Sequence, residues 1–374
     1  MHKAISAMGS KNFLTILAKP GLLTEDPNNP SVKRVDRVSF GSNVQIAIRL
    51  EAAGHRVLEW SVVNILFGSY DILHIHWPER VLSVRSKTLA IIRMLLLFGA
   101  LTVIRLRGKK IVWTSHNTKS HDGFHPRLER IYQNCFSLFL NGVCVPLSSL
   151  EKPMRSVFRL PRSCRVKVIP FGNFSKLYEC ATNRAESRAA LSLPLDARVC
   201  IHLGTMFSYK GLEDMCRVFS DPSLSDCILL LAGGCKDVDL WKAMEGYAKK
   251  SSNIRLVQGH VATEQVQYFM QAADLFVCNY DHIDNSATIR WPLGFGLPVL
   301  APLFPFTQEY SERFGLYWLR LFEKKNLTPE IILKNLQISR DYNQIVPWGD
   351  CDWDIHVASL IRFYNELLQS PVSR

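Results

Sequence analysis

The chain contains no C-x-x-C pair, no internal repeat and no low-complexity tract. That excludes zinc ribbons, thioredoxin-type redox motifs, solenoids and disordered linkers as its main content. Its ten cysteines, Cys135 and Cys144 through Cys278 and Cys351, stand singly, several inside apolar runs. They read as reduced core thiols of a cytosolic protein, not as a disulfide frame. The opening stretch "MHKAISAMGSKNFLTILAKPG" lacks the long apolar core and small-residue cleavage site of a secretory signal, so it is expected to stay unprocessed, with "NFLTILA" as a first strand. The one long apolar run, "TLAIIRMLLLFGALTVIRL" at 88–106, is interrupted by Arg93 and split by Gly99, so a full membrane span is not expected of it. Acidic residues are the minority, 33 against 45 Lys and Arg, for a net charge of +12. An anionic partner is expected, but charge alone does not choose among phosphate, nucleotide, nucleic acid and membrane surface. Basic residues interleaved with aromatics, as in RNA modules, are missing, as is a DNA-binding helix pair, so no nucleic-acid partner is expected.

Around 85–110 two readings stay open. Arg85 and Lys87 precede the apolar run and Arg105, Arg107, Lys109 and Lys110 follow it, as in a helix lying on an anionic membrane surface. A buried helix with a basic end fits equally.

What is present is enough chain for two cores, 374 residues at 47% hydrophobic. Short apolar strands alternate with helical stretches throughout, the pattern of βαβ units and parallel sheets. Six strands are predicted in the first half, from Phe13–Ala18 to Lys167–Ile169, and five in the second, from Val199–Leu203 to Pro298–Ala301. The polar, strandless "ATNRAESRAALSLPLDA" reads as a linker. The expected domains are therefore 1–172, a linker at 173–197, 198–345, and a last amphipathic helix within 346–374. Two doubly wound halves are expected to leave a cleft between facing strand ends, a favoured ligand site.

Candidate chemistry sits where strands end, since ligands of open α/β sheets bind there. "YDILHIHWPE" ends a buried strand on His76, Trp77, Pro78 and Glu79, and Ser115, His116 and Asn117 end another. In the second half, "GTMFSYKG" offers a turn at Gly204, then Thr205, Lys210 and a helix start, suited to an anion or to an ordinary surface loop. Asn285-Ser286-Ala287-Thr288 opens another helix and either caps it or meets a diphosphate. Gly259-His260-Val261 forms a third turn.

This ordered set resembles the GT-B glycosyltransferases, and more narrowly the GDP-mannose-dependent β-mannosyltransferases of the xanthan-assembly type. The residues that carry it are "YDILHIHWPE", His116-Asn117 with "HDG" from His121, "GTMFSYKG" at 204–211, "NSAT" at 285–288 with "PVLAP" at 298–302, and Asp352-Trp353. Two features depart from common GT-B patterns. Ile283 and Trp291 stand where many retaining members carry a glutamate pair, and Thr205 to Tyr209 hold no arginine ahead of Lys210.

The resemblance implies an α/β GT-B fold of two Rossmann-like domains, with the last helix returning to the first. It implies a nucleotide-sugar donor, best matched by GDP-mannose with a UDP-sugar as the alternative. The acceptor would be a lipid-diphosphate-linked oligosaccharide in exopolysaccharide or cell-surface glycan assembly, on the inner face of the plasma membrane. Donor contacts fall on Gly204, Thr205, Lys210, His260, Val261, Asn285, Ser286 and Thr288, and acceptor contacts on His76, Trp77 and Asn117. Inverting transfer needs a base for the acceptor hydroxyl; Glu79 and Asp122 are the candidates, with His116 third. No D-x-D is seen to follow a strand, although "DVD" at Asp237–Asp239 and "DWD" at Asp352–Asp354 occur, so no metal is expected.

Three other readings stand beside it. A metal hydrolase would use His74 and His76 as H-x-H with His116, His121 and His125, although His74 within the apolar run also reads as a hydrogen-bonded core residue. A non-enzymatic binder of anionic surfaces rests on charge alone. An epimerase of similar fold would need two acids at the anomeric centre.

Overall fold

The computed structural model describes residues 13–19, 42–116, 123–174, 178, 181–282 and 287–369. They fold as two units, 1–172 together with 350–374, and 173–349.

The first unit is built on a six-stranded sheet of β1 (Thr15–Lys19), β2 (Arg56–Glu59), β3 (Ile72–His76), β4 (Lys110–Thr114), β5 (Gly142–Val145) and β6 (Arg165–Val168). All pairings are parallel and the order is β2-β1-β3-β4-β5-β6. Every residue of β3, β4 and β5 is buried, as expected of parallel strands covered on both faces. The edge strands β2 and β6 are only partly covered, and β6 alternates exposed and half-buried residues. The helices are α1 (Ser42–Ala52), α2 (Val62–Phe67), α3 (Lys87–Leu106), α4 (Pro126–Ser137) and α5 (Glu151–Val157). Ser61 and Ser86 cap α2 and α3 by accepting from the N–H groups of Asn64 and Leu89. Strand order reverses between β1 and β3, which makes their carboxyl ends the ligand-prone edge.

The last helix, Trp353–Gln369, belongs to this unit. Two glycines let it approach: a Cβ on Gly142 would lie 2.7 Å from the Phe363 ring, and one on Gly172 only 2.3 Å from the Trp353 ring. Arg49 pairs with Asp354 at 3.0 Å and the His356 Nδ1–H donates to the Pro170 carbonyl at 2.8 Å.

The second unit has a parallel sheet of β7 (Arg198–Leu203), β8 (Cys227–Gly233), β9 (Ile254–Gln258), β10 (Leu275–Val277), β11 (Val299–Pro302) and β12 (Leu319–Phe322). The order is β12-β11-β10-β7-β8-β9, so the reversal falls between β7 and β10. Its helices are α6 (Arg184–Ala190), α7 (Leu212–Phe219), α8 (Val238–Ala248), α9 (Val266–Ala272), α10 (Ala287–Leu293), α11 (Pro305–Phe314) and α12 (Pro329–Leu336). Leu229 and Leu231 of β8 pack with Met215, Cys216 and Phe219 of α7 and Met244 of α8 in one core cluster.

Three expectations are corrected. The stretch taken for a linker is part of the second unit: Asn183 and Glu186 form a capping box for α6, which packs on α9. Fully buried Arg188 holds it there, donating to the carbonyls of Ala272, Pro194, Leu195 and Ala197 and to Asp274. The second sheet also has a sixth strand, β12, hidden from the apolar pattern by Arg320 within it, whose guanidinium lies over the Tyr317 ring and donates to the Asn335 carbonyl. Finally, a D-x-D does follow a strand, since Asp237–Asp239 lies just past β8. Asp237 Oδ1 is engaged there in accepting from the N–H groups of Asp239 and Leu240, the N-cap of α8. Among the described residues every cysteine is free, Cys180 lying outside them.

Candidate functional site

The second unit's strand tips are tied together at the order reversal. Gly204 follows β7 at φ +129°, and Gly233 ends β8 so close to it that a Cβ on Gly233 would lie 2.1 Å from the Gly204 carbonyl oxygen. The loop from Gly204 returns at Gly211, φ +63°, where a Cβ would meet the Asn279 carbonyl oxygen at 2.2 Å. Only glycine fits there. Asn279, beyond β10, donates to the Gly211 carbonyl at 3.2 Å and to Asp214 Oδ2 at 3.1 Å, and the Asp281 N–H donates to the Tyr209 carbonyl. The loops after β7 and β10 therefore form one built edge, and Gly259 N–H, donating to the Gly233 carbonyl, joins the β9 tip to it.

On this edge Lys210 is the chemically unusual residue. It is only 6% exposed, and its ammonium makes no hydrogen bond or ion pair among the described residues. Nζ lies over the face of Tyr280, 5.7 Å from the ring centroid, and 3.7 Å from where a Cβ of Gly204 would be. Burial lowers its pKa to about 8. Beneath it, the His202 Nδ1–H donates to the Val277 carbonyl at 2.9 Å, while Nε2 is buried and finds no partner among the described residues. Burial, and then the Lys210 charge, push His202 down to about 3, so it is neutral. A largely buried lysine on a glycine turn, with no ion-pair partner among the described residues, is suited to receive an anion.

Of the expected donor residues, Gly204, Thr205, Lys210, His260 and Val261 lie on these adjoining tips, with Thr205 and His260 exposed and Val261 half-buried. Thr288 is half-buried near the start of α10, and Asn285 and Ser286 fall outside the described residues. A cavity of about 430 Å³ opens beside the same loops, lined by Ser208, Gly211, Asp214, Asn279, Tyr280 and Lys325 among others. Lys210 does not line it, and Glu213 and Asp214 make it a poor diphosphate pocket, so the anion argument rests on Lys210.

The first unit gathers rings at the tips of β3 and β4. His76 pairs in register with Thr114, and its Nδ1 lies 3.0 Å from His116 Nε2. Trp77 adopts φ 47°, ψ 49°, a left-handed conformation rare for a bulky residue. That conformation lays the indole on His116, with centroids 4.1 Å apart and planes at 17°. Phe171 stacks on His116 at 5.3 Å and His356 on Phe171 at 5.6 Å. Trp77, His116, Phe171 and His356 thus form one near-parallel column from a strand tip to the last helix. Burial drives His76 to about 3 and His74 well below its ordinary value, so both rings are neutral.

Glu79 occupies the first turn of a short helix, Pro78–Leu82, at 9% exposure; burial first, and then the Glu79 charge, raise the pKa of the Tyr132 phenol on α4 well above its ordinary value. Asp122 and Asn117 lie outside the described residues. Phe171, His356, Asn279 and His202 were not singled out from sequence. The "WDIH" at Trp353–His356 was the one local signal, two rings three apart on an amphipathic helix.

Among the described residues no group of three or more His, Cys, Asp and Glu side chains could hold a metal ion. His74 is gripped by the hydroxyls of Tyr364 and Thr114, and His125 Nε2 lies 2.7 Å from the Val84 carbonyl, so these two histidines of the hydrolase reading have other partners, while His121 lies outside the described residues.

No family model matches the sequence. A GDP-mannose:glycolipid 4-beta-D-mannosyltransferase of Xanthomonas campestris pv. campestris is 25% identical over 267 residues, 71% of this chain and 70% of that one. Among solved structures, sucrose-phosphate synthase from Thermosynechococcus elongatus matches with TM-score 0.58 at 16% identity, covering 95% of this chain and 97% of that one. Anabaena HepE in complex with UDP matches with TM-score 0.60 at 14% identity, covering 94% and 97%. The chain is a glycosyltransferase of the GT-B type. Both parallel six-stranded sheets of the glycosyltransferase belong to that fold.

Proposed function

We propose that this glycosyltransferase moves a mannosyl residue from GDP-mannose to a lipid-linked oligosaccharide acceptor in cell-surface or exopolysaccharide assembly, with inversion, at the inner face of the plasma membrane. The observation that carries the donor half is Lys210, a buried lysine at the β7/β10 edge with no carboxylate partner among the described residues. A donor diphosphate supplies the missing counter-charge. Sugar and acceptor class come from the mannosyltransferase match.

In this reading the second unit holds the nucleotide and diphosphate and the first holds the acceptor. A base takes the proton of the acceptor hydroxyl, the oxygen forms its bond to the anomeric carbon, and the bond from that carbon to the diphosphate breaks. Lys210, beside the Gly204 turn, stabilises the charge growing on the leaving diphosphate, which makes a metal ion dispensable. His116, half-buried and fixed between Trp77 and Phe171, and Glu79 are the described residues offered as base.

Calorimetric titration with GDP, UDP and ADP, with and without magnesium, tests the donor. Preferential metal-free binding of GDP, weakened by Lys210→Ala, is expected. Preference for UDP would replace the donor, and equal binding by Lys210→Ala would remove the diphosphate role.

A further inference from the structure

Helix α3 is buried like a helix resting on a sheet but lacks the surface that such a helix presents to water. Ala90, Met94, Leu97, Leu101 and Ile104 face the core of the first unit. The opposite side of a soluble helix is ordinarily polar. Here it carries Ile92, Leu95 and Leu96, the last two 59% and 70% exposed. Helix α2 packs beside it and adds Val62 and Phe67, 70% and 79% exposed.

The two helices form one platform because of Arg107. Positioned just past α3, its guanidinium donates to the carbonyls of Ile65 and Gly68, closing the end of α2. Its side chain also lies over the Tyr70 ring at 5.3 Å, with Lys109 over the same ring at 5.5 Å.

Charge identifies what this platform meets. Between Glu79 and Asp122 the chain has no acidic residue, while Arg85, Lys87, Arg93 and Arg105 are exposed within that span. Arg93 sits among the exposed leucines. A second copy of the chain would set this basic rim against itself, which like-charge repulsion opposes. A bilayer with anionic headgroups complements both features at once, taking apolar side chains at the acyl boundary and arginines and lysines at the phosphates. The helix has the length and mean hydropathy, 2.1, of a spanning segment. Its core-facing stripe and its short return into β4, at Lys110, hold it on the sheet, so it lies along the membrane and does not cross it.

We propose that α2 and α3 together are a docking surface that seats the first unit on an anionic bilayer, with Val62, Phe67, Leu95 and Leu96 entering the headgroup boundary. This stands independently of the donor and acceptor assignments.

Flotation of the full chain with phosphatidylcholine vesicles, with and without phosphatidylglycerol, tests it. The protein is expected to float with the phosphatidylglycerol vesicles, to float far less with phosphatidylcholine alone, and to be released by salt. Leu95→Glu with Leu96→Glu should lower the partition at least tenfold with an unchanged circular-dichroism melt, and Lys87→Glu with Arg93→Glu should abolish the preference for phosphatidylglycerol. Should the leucine pair fail to fold, the conservative Leu96→Trp reports by a blue shift of its emission on vesicles. Absence of flotation, no blue shift, or a dimer by light scattering that the leucine pair dissociates would overturn the proposal, the last by assigning the surface to a second copy.

Discussion

The Tyr364 hydroxyl lies 2.6 Å from Nδ1 of His74, a contact between the last helix and the middle of β3 spanning 290 residues of sequence. On its other side His74 Nε2 lies 2.7 Å from the Thr114 hydroxyl. A neutral imidazole has one donor and one acceptor, and a hydroxyl can serve as either, so both tautomers are satisfied inside the sheet. Tyr364→Phe removes one hydroxyl and leaves a ring nitrogen unpaired at a fully buried position. A loss of about 1–3 kcal/mol is expected in urea unfolding, the size of one unsatisfied buried group. A change within error would mean that His74 draws its hold on the last helix from packing alone.

His74 and His76 also give the first unit a pH dependence of definite sign. Both pKa values are lowered by burial, His76 to about 3 and His74 well below its ordinary value, while an unfolded chain titrates both near 6.5. As pH falls below about 6.5 the unfolded state takes up protons that the folded state refuses, so stability declines from there toward about pH 3 and is unaffected by these groups above neutrality. His202, also near 3, adds the same sign in the second unit. Each such histidine contributes a limiting slope of about 1.4 kcal/mol per pH unit. Thermal melts between pH 7.5 and 5 should show the fall, and His76→Gln should make it shallower; a flat profile would mean these rings charge without penalty.

Much of this architecture could be read from sequence because parallel strands are continuous apolar runs and their ends are abrupt. "DILHIH" stops at Trp77 and Pro78, and that alone located a tip of the first unit's ring cluster. The pairing of His76 with His116 followed from adjacent parallel strands. The remainder depended on distant partners. Phe171 and His356 join the ring column only because the last helix packs on the first sheet, and Gly172 reads as a loop glycine until Trp353 is seen against it. Arg188 looks like one more charge on a polar helix, yet carbonyls from 194, 195, 197 and 272 converge on it and make it core. Local pattern carries no record of such convergence.

Lys210 links donor binding to pH. Burial holds its pKa at about 8, so a growing fraction of the ammonium is neutral as pH rises through that value. A bound diphosphate favours the charged form and raises the pKa, so binding near pH 8 to 8.5 takes up part of a proton. Titration of nucleoside diphosphate at pH 8.3 in two buffers of different ionisation enthalpy should give different apparent heats, with affinity falling as pH rises through 8 to 9. Lys210→Met should bind more weakly and abolish the difference between buffers. Proton uptake that survives the substitution would move the coupling to another group.

Trp77 holds a backbone conformation that disfavours its own side chain, and such strain, of order 1–3 kcal/mol, persists where the surroundings over-determine it. Here the His116 face at 4.1 Å and the Arg80 guanidinium at 5.4 Å from the ring do so. If the indole served packing alone, a glycine at this position would exchange lost contacts for relieved strain and change little else. If it forms the platform for the acceptor sugar, Trp77→Gly should leave stability within about 1 kcal/mol, the scale of the φ > 0 advantage of glycine. The affinity for nucleoside diphosphate should be unchanged and the KM for acceptor raised at least tenfold. Equal losses for donor and acceptor would instead show that the column of rings supports the fold of the whole tip, and the acceptor role would pass from Trp77 to its neighbours.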